Sequence, residues 1–318
     1  MPEEAFISLG PDRAELFRWA GDRLVQAIAE REGEVGPVGG VHLGRVVKLE
    51  RALNAAFVEI GLERPGLLPL KKHDAISEGD AIAVEVRRDA REEKGVRLSR
   101  ARVDTAAIAG RTPPSLLVPP PMLWQKALAT FAPERVEQIH CDRRGDAERV
   151  TEWCRRHAKE LLRTIHHLPR REWSGNEDAQ EQIGAALQEE VALEEGGTLL
   201  FEPVRTLTAI DVNSGGASAR RGEAGGGMEQ TALSVNLAAA REIPIQLALR
   251  NLGGVIVIDF IDMENRNKRE KVIETLGEAA IVDPAIDWIG TMSRLGLVEM
   301  RRRRSGPTLA EMWAGRAT

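Results

Sequence analysis

The sequence contains no tyrosine and only two cysteines, and aromatic residues make up 4% of its 318 positions. The cysteines, Cys141 and Cys154, form no CxxC pair, and no other potential ligand lies at zinc-binding spacing from them. We therefore expect free thiols in a reducing cytoplasm rather than a disulfide, and we expect no zinc site.

Long apolar runs are also missing. None approaches the roughly 18 residues that a membrane-spanning helix needs. The N-terminal stretch MPEEAFISLG lacks the basic flank and apolar segment of a secretion signal. With 42% hydrophobic and 29% charged residues, the chain has the composition of an ordinary soluble globular protein. Together with the missing signal and apolar run, we expect a cytoplasmic protein without a membrane partner.

An overall excess of positive charge is absent too, since the formal net charge is −5. A polyanionic partner would have to be bound by local basic patches. Arg294 and the run Arg301–Arg304 form one such patch near the C-terminus. An arginine run can equally be a solvated surface without a partner.

The first two thirds of the chain change character several times. Residues 1–34 predict a strand and then an acidic helix. Residues 41–102 contain five short strand-like runs separated by turn residues, which predicts a small β-barrel of the OB type. Residues 112–121 are too rich in proline for a regular element. Residues 122–188 have helical apolar spacing, with Asp178 as the N-cap of the last helix.

The last third predicts a βαβ unit. TLLFEPV and TLTAIDV form a hairpin, and then come a glycine-rich loop, a long helix, the apolar run VIVIDFIDM, a second helix and two more strands. A strand, a helix and a strand in succession usually give parallel neighbouring strands. The fold class is therefore mixed α/β with an inserted barrel.

Asp211 and Asp259 stand at the carboxyl ends of the two strands of this unit. If the strands are parallel neighbours, both carboxylates lie at the edge where open α/β sheets bind ligands. Adjacent carboxylates repel each other unless a cation lies between them, and Mg²⁺, with Mn²⁺ as a substitute, suits two carboxylates. Asn213 shares a face with Asp211 and could orient it. Asp262 lies just beyond the second strand.

The glycine-rich loop could bring backbone N–H groups, Arg220 and Arg221 close to an anion. The alternative is structural, because aspartates at strand ends often cap turns and glycine-rich loops are often only flexible. A metal–phosphate site would support phosphodiester hydrolysis, in which the ion polarises a phosphoryl oxygen and activates a water. All six histidines precede this region, which argues against a histidine-based nuclease.

The predicted barrel could bind a single-stranded nucleic acid. Phe57 lies between apolar residues, beside basic residues such as Arg45 and Lys71. Barrels of this type stack bases on exposed aromatics next to cationic side chains. Phe57 as an ordinary core residue is the competing interpretation, and the scarcity of aromatics predicts that stacking here is sparse.

Four stretches resemble the ribonuclease E/G family of bacterial endoribonucleases. They are LTAIDVNS, LGGVIVIDFIDM, SRLGLVEM and, as an S1-type barrel, GRVVKLERALNAAFVEIGLERPGLLPL. The resemblance implies an RNase H-like subdomain (residues 1–35 and 112–195), an S1 domain (36–104) and a DNase I-like catalytic subdomain (196–318). It implies that Asp211 and Asp259 hold a catalytic Mg²⁺ supported by Asn213, and that Phe57 contacts single-stranded RNA. Arg45, Lys71 and Arg294 are the further candidate RNA contacts.

The chain departs from that family in three ways. The 5′-sensor subdomain that follows the barrel is missing, which puts a preference for 5′-monophosphate ends in doubt. The zinc link and small domain are missing as well, so a zinc-bridged dimer is not expected and the oligomeric state is open. Leu67 stands where a second barrel aromatic is common and Pro244 interrupts the long helix, so we expect reduced RNA affinity.

Three functions follow as hypotheses. The first is a Mg²⁺-dependent endoribonuclease that cleaves single-stranded RNA in RNA processing or decay. The second is a non-catalytic RNA-binding relative that retains the fold. The third, with less support, is a DNA nuclease or another phosphodiesterase. The presence of both aspartates and Asn213 favours the first.

Overall fold

The computed structural model describes residues 2–31, 36–71, 74–90, 95–215, 227–304 and 306–314. The chain divides into two compact units. One comprises Met1–Glu30 and Ala127–Thr318, and the other comprises Arg31–Lys126. Residues 216–226 of the predicted glycine-rich loop, with Arg220 and Arg221, lie outside the described residues.

The described strands are, in chain order, β1 (Glu3–Leu9), β2 (Ala14–Ala20), β3 (Arg23–Glu30), β4 (Val41–Glu50), β5 (Ala55–Glu59), β6 (Gly66–Pro69), β7 (Ala81–Arg88), β8 (Arg97–Arg100), β9 (Ser115–Val118), β10 (Val136–Cys141), β11 (Ile165–His167), β12 (Glu190–Ala192), β13 (Thr198–Pro203), β14 (Leu207–Asn213), β15 (Gly254–Asp259), β16 (Ile286–Ile289) and β17 (Leu297–Arg302). The described α-helices are α1 (Thr105–Ile108), α2 (Leu123–Leu128), α3 (Arg144–His157), α4 (Gly175–Ala186), α5 (Met228–Arg250), α6 (Arg266–Ala279) and α7 (Leu309–Trp313).

The smaller unit contains a closed barrel. Its strands pair in the order β4-β5-β6-β8-β7, and β7 returns to β4. The pair β6–β8 is parallel and the other barrel pairs are antiparallel. Alternate residues of β7, Val84 and Val86, are fully buried, as period-2 strands lining a closed interior require. At Gly44 a Cβ would lie 2.5 Å from the Val58 side chain, so this position requires glycine. The predicted OB-type barrel is confirmed.

The barrel unit extends further than the predicted S1 domain, which ended at residue 104. Strand β9 pairs with β4, with Val41 opposite Val118, and the compact unit continues to Lys126. The division of the larger unit into RNase H-like and DNase I-like subdomains stays a prediction.

The first sheet of the larger unit has the order β11-β10-β1-β2-β3. The acidic helix predicted before residue 34 is wrong, because this stretch forms the antiparallel strands β2 and β3. Gly21 adopts a φ of +63° in the turn between them, which glycine tolerates without strain. All seven residues of β2 are buried, so its apolar positions do not alternate and do not identify a strand.

The second sheet of the larger unit has the order β12-β13-β14-β15-β17-β16. Strands β13 and β14 form the predicted hairpin, and β14 and β15 form the predicted parallel pair. Helices α5 and α6 cover one face, where residues such as Val235 and Val272 share a core with sheet residues such as Ile210 and Ile258. Asp211 and Asp259 therefore lie on the opposite face of β14 and β15, away from these helices.

Two local predictions about helices are wrong. Helix α4 begins at Gly175 with Ser174 in the N-cap position, and Asp178 lies inside its first turn. Its charge is still favourable there because helix N-termini attract negative side chains. Helix α5 runs from Met228 to Arg250 without a break, although Pro244 lies within it and removes one backbone hydrogen bond.

The expected free thiols are confirmed, since Cys141 and Cys154 are both unpaired and buried. Burial raises the pKa of Cys141 to about 12 and that of Cys154 to about 11, so both remain protonated near neutral pH. Among the described residues, the helices are all too short or too polar to cross a lipid bilayer.

Candidate active site and nucleic-acid interface

The two aspartates predicted to form a site are direct neighbours. Strands β14 and β15 run parallel with Asp211 opposite Asp259. Neighbouring strands in a sheet lie about 4.8 Å apart, which is close enough for two side chains on the same face to bind one ion. The predicted convergence of the two strand ends is therefore confirmed.

The alternation of the two strands decides which face carries the acids. The residues that flank Asp211, Ile210 and Val212, are buried in the core against the helices. Ile258, which precedes Asp259, is buried in the same core. Because successive side chains of a strand point to opposite faces, Asp211, Asn213 and Asp259 lie on the face away from α5 and α6.

Asn213 fixes the orientation of the Asp211 carboxylate. Its side-chain nitrogen Nδ2 donates a hydrogen bond to Oδ2 of Asp211 at 2.6 Å. This contact occupies one carboxylate oxygen and leaves Oδ1 available to another partner. The predicted orienting contact of Asn213 is therefore present.

The carboxylates at this edge lack compensating cations among the described residues. None of Asp211, Asp259 and Asp262 forms an ion pair with a residue that the structure describes. The pKa of Asp259 is raised, first by loss of solvation and then by the negative charges of Asp211 and Asp262. A bound divalent cation would relieve this repulsion.

The donor atoms suit Mg²⁺. The two paired carboxylates offer hard oxygen ligands, and Mg²⁺ commonly binds one or two carboxylates while keeping several waters. The part of the chain that the structure describes contains no cluster of three or more His, Cys, Asp or Glu side chains arranged to hold a metal. An ion at Asp211 and Asp259 would thus keep most of its coordination positions for water and for substrate oxygens.

The segment after Asp259 is held by a residue that sequence reasoning missed. Asn236, in α5, is fully buried. Its Nδ2 donates to the carbonyl oxygen of Ile261 at 2.8 Å, and its Oδ1 accepts from the Ile261 N–H at 3.0 Å. The only sequence signal for it is a polar residue inside the apolar stretch VNLAAA.

A glycine supports the same segment from the other side. Gly296 has a φ of +79°, and a Cβ there would lie 2.6 Å from the Phe260 carbonyl oxygen and 3.3 Å from Oδ1 of Asp262. Any side chain at position 296 would therefore displace the segment that carries Asp262. The motif SRLG supplies the glycine that this close approach requires.

Arg294 lies at the same edge of the sheet as the two aspartates. It is exposed in the turn that precedes β17, and Leu297, the first residue of β17, is opposite Asp259. Ser293 shapes this turn, since its hydroxyl oxygen accepts from the N–H groups of Leu295 and Leu297.

The remaining candidate residues lie on the barrel. Phe57 is half-buried on β5, between Lys48 of β4 and Leu67 of β6 in the strand register. Arg45 is exposed on β4, and its guanidinium donates to the Gly79 carbonyl oxygen at 3.1 Å. Lys71 is exposed just after β6. Phe57 is not among the core residues of the barrel, to which its strand neighbours Ala56 and Val58 belong, and its contact with RNA stays a prediction.

The fold and the site define a class of protein: a mixed α/β chain with an OB-type barrel and a pair of aspartates at the end of two parallel strands. Comparison with known proteins narrows the class. Residues 84–305 match the model of the ribonuclease E/G family. The chain belongs to the ribonuclease E/G family.

Curated relatives agree with this assignment. Ribonuclease E of Haemophilus influenzae is 28% identical over 382 residues, which cover 92% of this chain and 40% of the relative. Ribonuclease G of Escherichia coli K12 is 33% identical over 184 residues, which cover 58% of this chain and 37% of the relative. Ribonuclease E of a Nostoc species is 43% identical over 135 residues, which cover 41% of this chain and 18% of the relative.

The chain thus spans 40% of the length of the Haemophilus relative. The aligned length of 382 residues also exceeds the 318 residues of this chain. The relative therefore has residues inside the aligned span that this chain lacks.

Proposed function

We propose that this protein is a Mg²⁺-dependent endoribonuclease that cleaves single-stranded RNA. The observation that carries the proposal is the pairing of Asp211 with Asp259 on parallel strands, oriented by Asn213, in a chain of the ribonuclease E/G family. The relatives named ribonuclease E and ribonuclease G support RNA as the substrate.

The side chains at the sheet edge would have separate roles. Asp211 and Asp259 would bind the ion, and Asn213 would keep the Asp211 carboxylate turned toward it. When bound, Mg²⁺ would supply polarisation of a phosphoryl oxygen and a water of lowered pKa. Arg294, in the neighbouring turn, would attract a backbone phosphate because its guanidinium suits phosphate oxygens.

The barrel would hold the RNA strand. Phe57 presents a ring on which a base could stack. Lys48 lies beside it, paired with Glu50 at 3.1 Å, and RNA would have to compete with this exposed ion pair. Arg45 and Lys71 would extend this cationic surface. Leu67 occupies the register position next to Phe57, so stacking would rest on one ring there. We place the activity in RNA processing or decay in the cytoplasm, which suits two free thiols.

A second candidate function is RNA binding without cleavage. It is favoured by one observation, that the relatives contain internal residues that this chain lacks. A chain that has lost a part of the family architecture could have lost turnover while keeping the barrel.

The test uses the purified chain and a fluorescent single-stranded RNA with either a 5′-monophosphate or a 5′-hydroxyl. Cleavage is measured with Mg²⁺, with Mn²⁺ and with chelator. The variants Asp211→Asn and Asp259→Asn each remove one ligand charge without changing side-chain size. The matched control is Asp287→Asn, which changes an aspartate of β16 that pairs with Arg301 in the same sheet.

We expect cleavage with Mg²⁺ that chelator abolishes, and a loss of more than about a hundredfold in both site variants, beyond the effect typical of residues that only support metal ligands. The control should cleave like the unaltered chain. Binding of RNA without cleavage would support the second function instead. Equal cleavage of single-stranded DNA of the same sequence would reassign the substrate.

A further inference from the structure

The loop between β15 and α6 carries charge next to the site but has few backbone partners. Strand pairing of β15 ends at Asp259, and α6 begins at Arg266 after its N-cap, Asn265. Asp262 is exposed in between, and its charge contributes to the raised pKa of Asp259. The Phe260 N–H donates to the Gly296 carbonyl oxygen at 3.3 Å, and Phe260 and Met263 are buried in the core. Between them, the backbone of Ile261 needs partners from outside regular sheet or helix pairing.

Asn236 supplies those partners with both ends of its amide. It binds the N–H and the carbonyl oxygen of Ile261, which lies two residues after Asp259 and one before Asp262. The two contacts hold both peptide groups that flank Ile261, and with them the backbone from which the two carboxylates project. Asn236 is fully buried and both contacts are partly buried, so leaving these backbone groups unpaired would be costly.

Few side chains could replace this amide. The contact needs a donor and an acceptor side by side at the length of asparagine. An apolar residue such as leucine offers neither group, and serine is too short to span both. Because α5 packs against the whole sheet core, the amide is carried by a rigid element. Rigid support of a ligand set is what metal sites require of their surroundings.

We propose that Asn236 is a positioning residue for the ion site, which fixes the directions of the Asp259 and Asp262 carboxylates relative to Asp211. This inference rests on the proposed function. Asn236 would contact neither the RNA nor the reacting atoms.

The test compares two buried amides of the same helix. Asn236→Leu removes both contacts to Ile261. Gln246→Leu is the matched control, because Gln246 is also buried and donates to Glu242 at 2.8 Å while it accepts from Arg250 at 3.0 Å. It lies ten residues further along α5, about 15 Å from Asn236 at the rise of an α-helix.

Ion binding is measured directly by Mn²⁺ titration followed by electron paramagnetic resonance, without RNA. We expect Asn236→Leu to weaken Mn²⁺ binding by about 10–100-fold, the range typical of residues that support metal ligands. The Mg²⁺ concentration for half-maximal cleavage should rise in parallel, and high Mg²⁺ should restore turnover. RNA binding in chelator should stay unchanged. Gln246→Leu should bind Mn²⁺ like the unaltered chain.

Equal Mn²⁺ affinity in the two variants would overturn the inference while leaving the proposed function intact. If the unaltered chain neither binds Mn²⁺ nor cleaves RNA, both are overturned. Asn236→Ser covers the case in which the leucine variant does not fold, since it keeps a small polar group in the cavity. This variant should show the same direction of change in Mn²⁺ affinity, and normal affinity in the folded serine variant would overturn the inference.

Discussion

The aspartates at the two ends of the second sheet differ in whether an arginine pairs with them. At one end, Asp211 and Asp259 face each other without a cation among the described residues. At the other end, Asp283 pairs with Arg302 at 2.6 Å and Asp287 pairs with Arg301 at 2.7 Å. Strands β15 and β17 connect the two ends.

The difference separates acids that the fold pairs with arginine from acids that it leaves without a cation among the described residues. Arg302 is buried, and it satisfies Asp283, the side-chain oxygen of Asn251 and the carbonyl oxygen of Leu252. A role in stabilising the fold is a sufficient explanation for this network of Arg302. It does not explain a pair of neighbouring carboxylates whose repulsion raises the pKa of Asp259. Carboxylates with perturbed pKa values and without a cation partner are typical of functional sites, and this supports the proposed ion site.

The largest effect on stability is expected from removing the buried ion pair between Asp283 and Arg302. Arg302→Met leaves Asp283 buried without its cation, so the free energy of unfolding should fall by about 3–5 kcal/mol. Urea denaturation measures it. Arg302→Met with Asp283→Asn should lose less, because no buried charge is left unpaired. A loss in the single variant no larger than that in the exposed-pair variant Arg301→Ala would contradict the distinction.

A smaller effect is expected at the uncompensated end from Asn213→Ala. The variant loses the hydrogen bond that orients Asp211, so ion affinity and cleavage should fall by about 10–100-fold. The urea midpoint should stay close to that of the unaltered chain, because Asn213 is exposed. Mn²⁺ titration and RNA cleavage provide the measurements. Unchanged affinity would show that the Asp211 carboxylate does not depend on this amide.

The smallest effect is the change in stability expected from Asp259→Asn. Its sign tests the comparison most directly, because an uncompensated carboxylate should destabilise the folded chain. In chelator, Asp259→Asn should raise the urea midpoint slightly, because it removes a charge that Asp211 and Asp262 repel. The raised pKa means that folding is disfavoured as pH rises above the ordinary carboxyl value near 4 and through the pKa of the folded state. The gain should therefore vanish at more acidic pH, where Asp259 is protonated in both states. A lower midpoint in the variant at neutral pH would mean that Asp259 has a structural partner.

The sequence was sufficient for the parts of the fold that local patterns determine. Turn residues at short intervals predicted the barrel, and two β-branched runs around a long helix predicted the parallel strands that bring Asp211 and Asp259 together. Asn213 followed from its spacing, since residues two apart in a strand share a face. In each case, the position of a residue within a strand or helix was enough to make the prediction.

Tertiary contacts explain what could not be predicted. Strand β2 is buried on both faces, so its composition resembles a helix as much as a strand. Pro244 was expected to interrupt α5, but packing of the helix against the sheet outweighs the single lost hydrogen bond. Asn236 binds backbone groups of a residue 25 positions away, and backbone groups leave no trace in the sequence.

The parallel pairing of β14 and β15 also has a consequence for folding. Two parallel strands cannot be joined by a tight turn, so the chain must cross from β14 to β15 through the segment that contains α5 before Asp211 and Asp259 meet. Pairing of this kind closes a long loop and forms late compared with a hairpin such as β13–β14. A nascent or locally opened chain therefore carries the two acids far apart, and the proposed cation site would form only with the completed sheet.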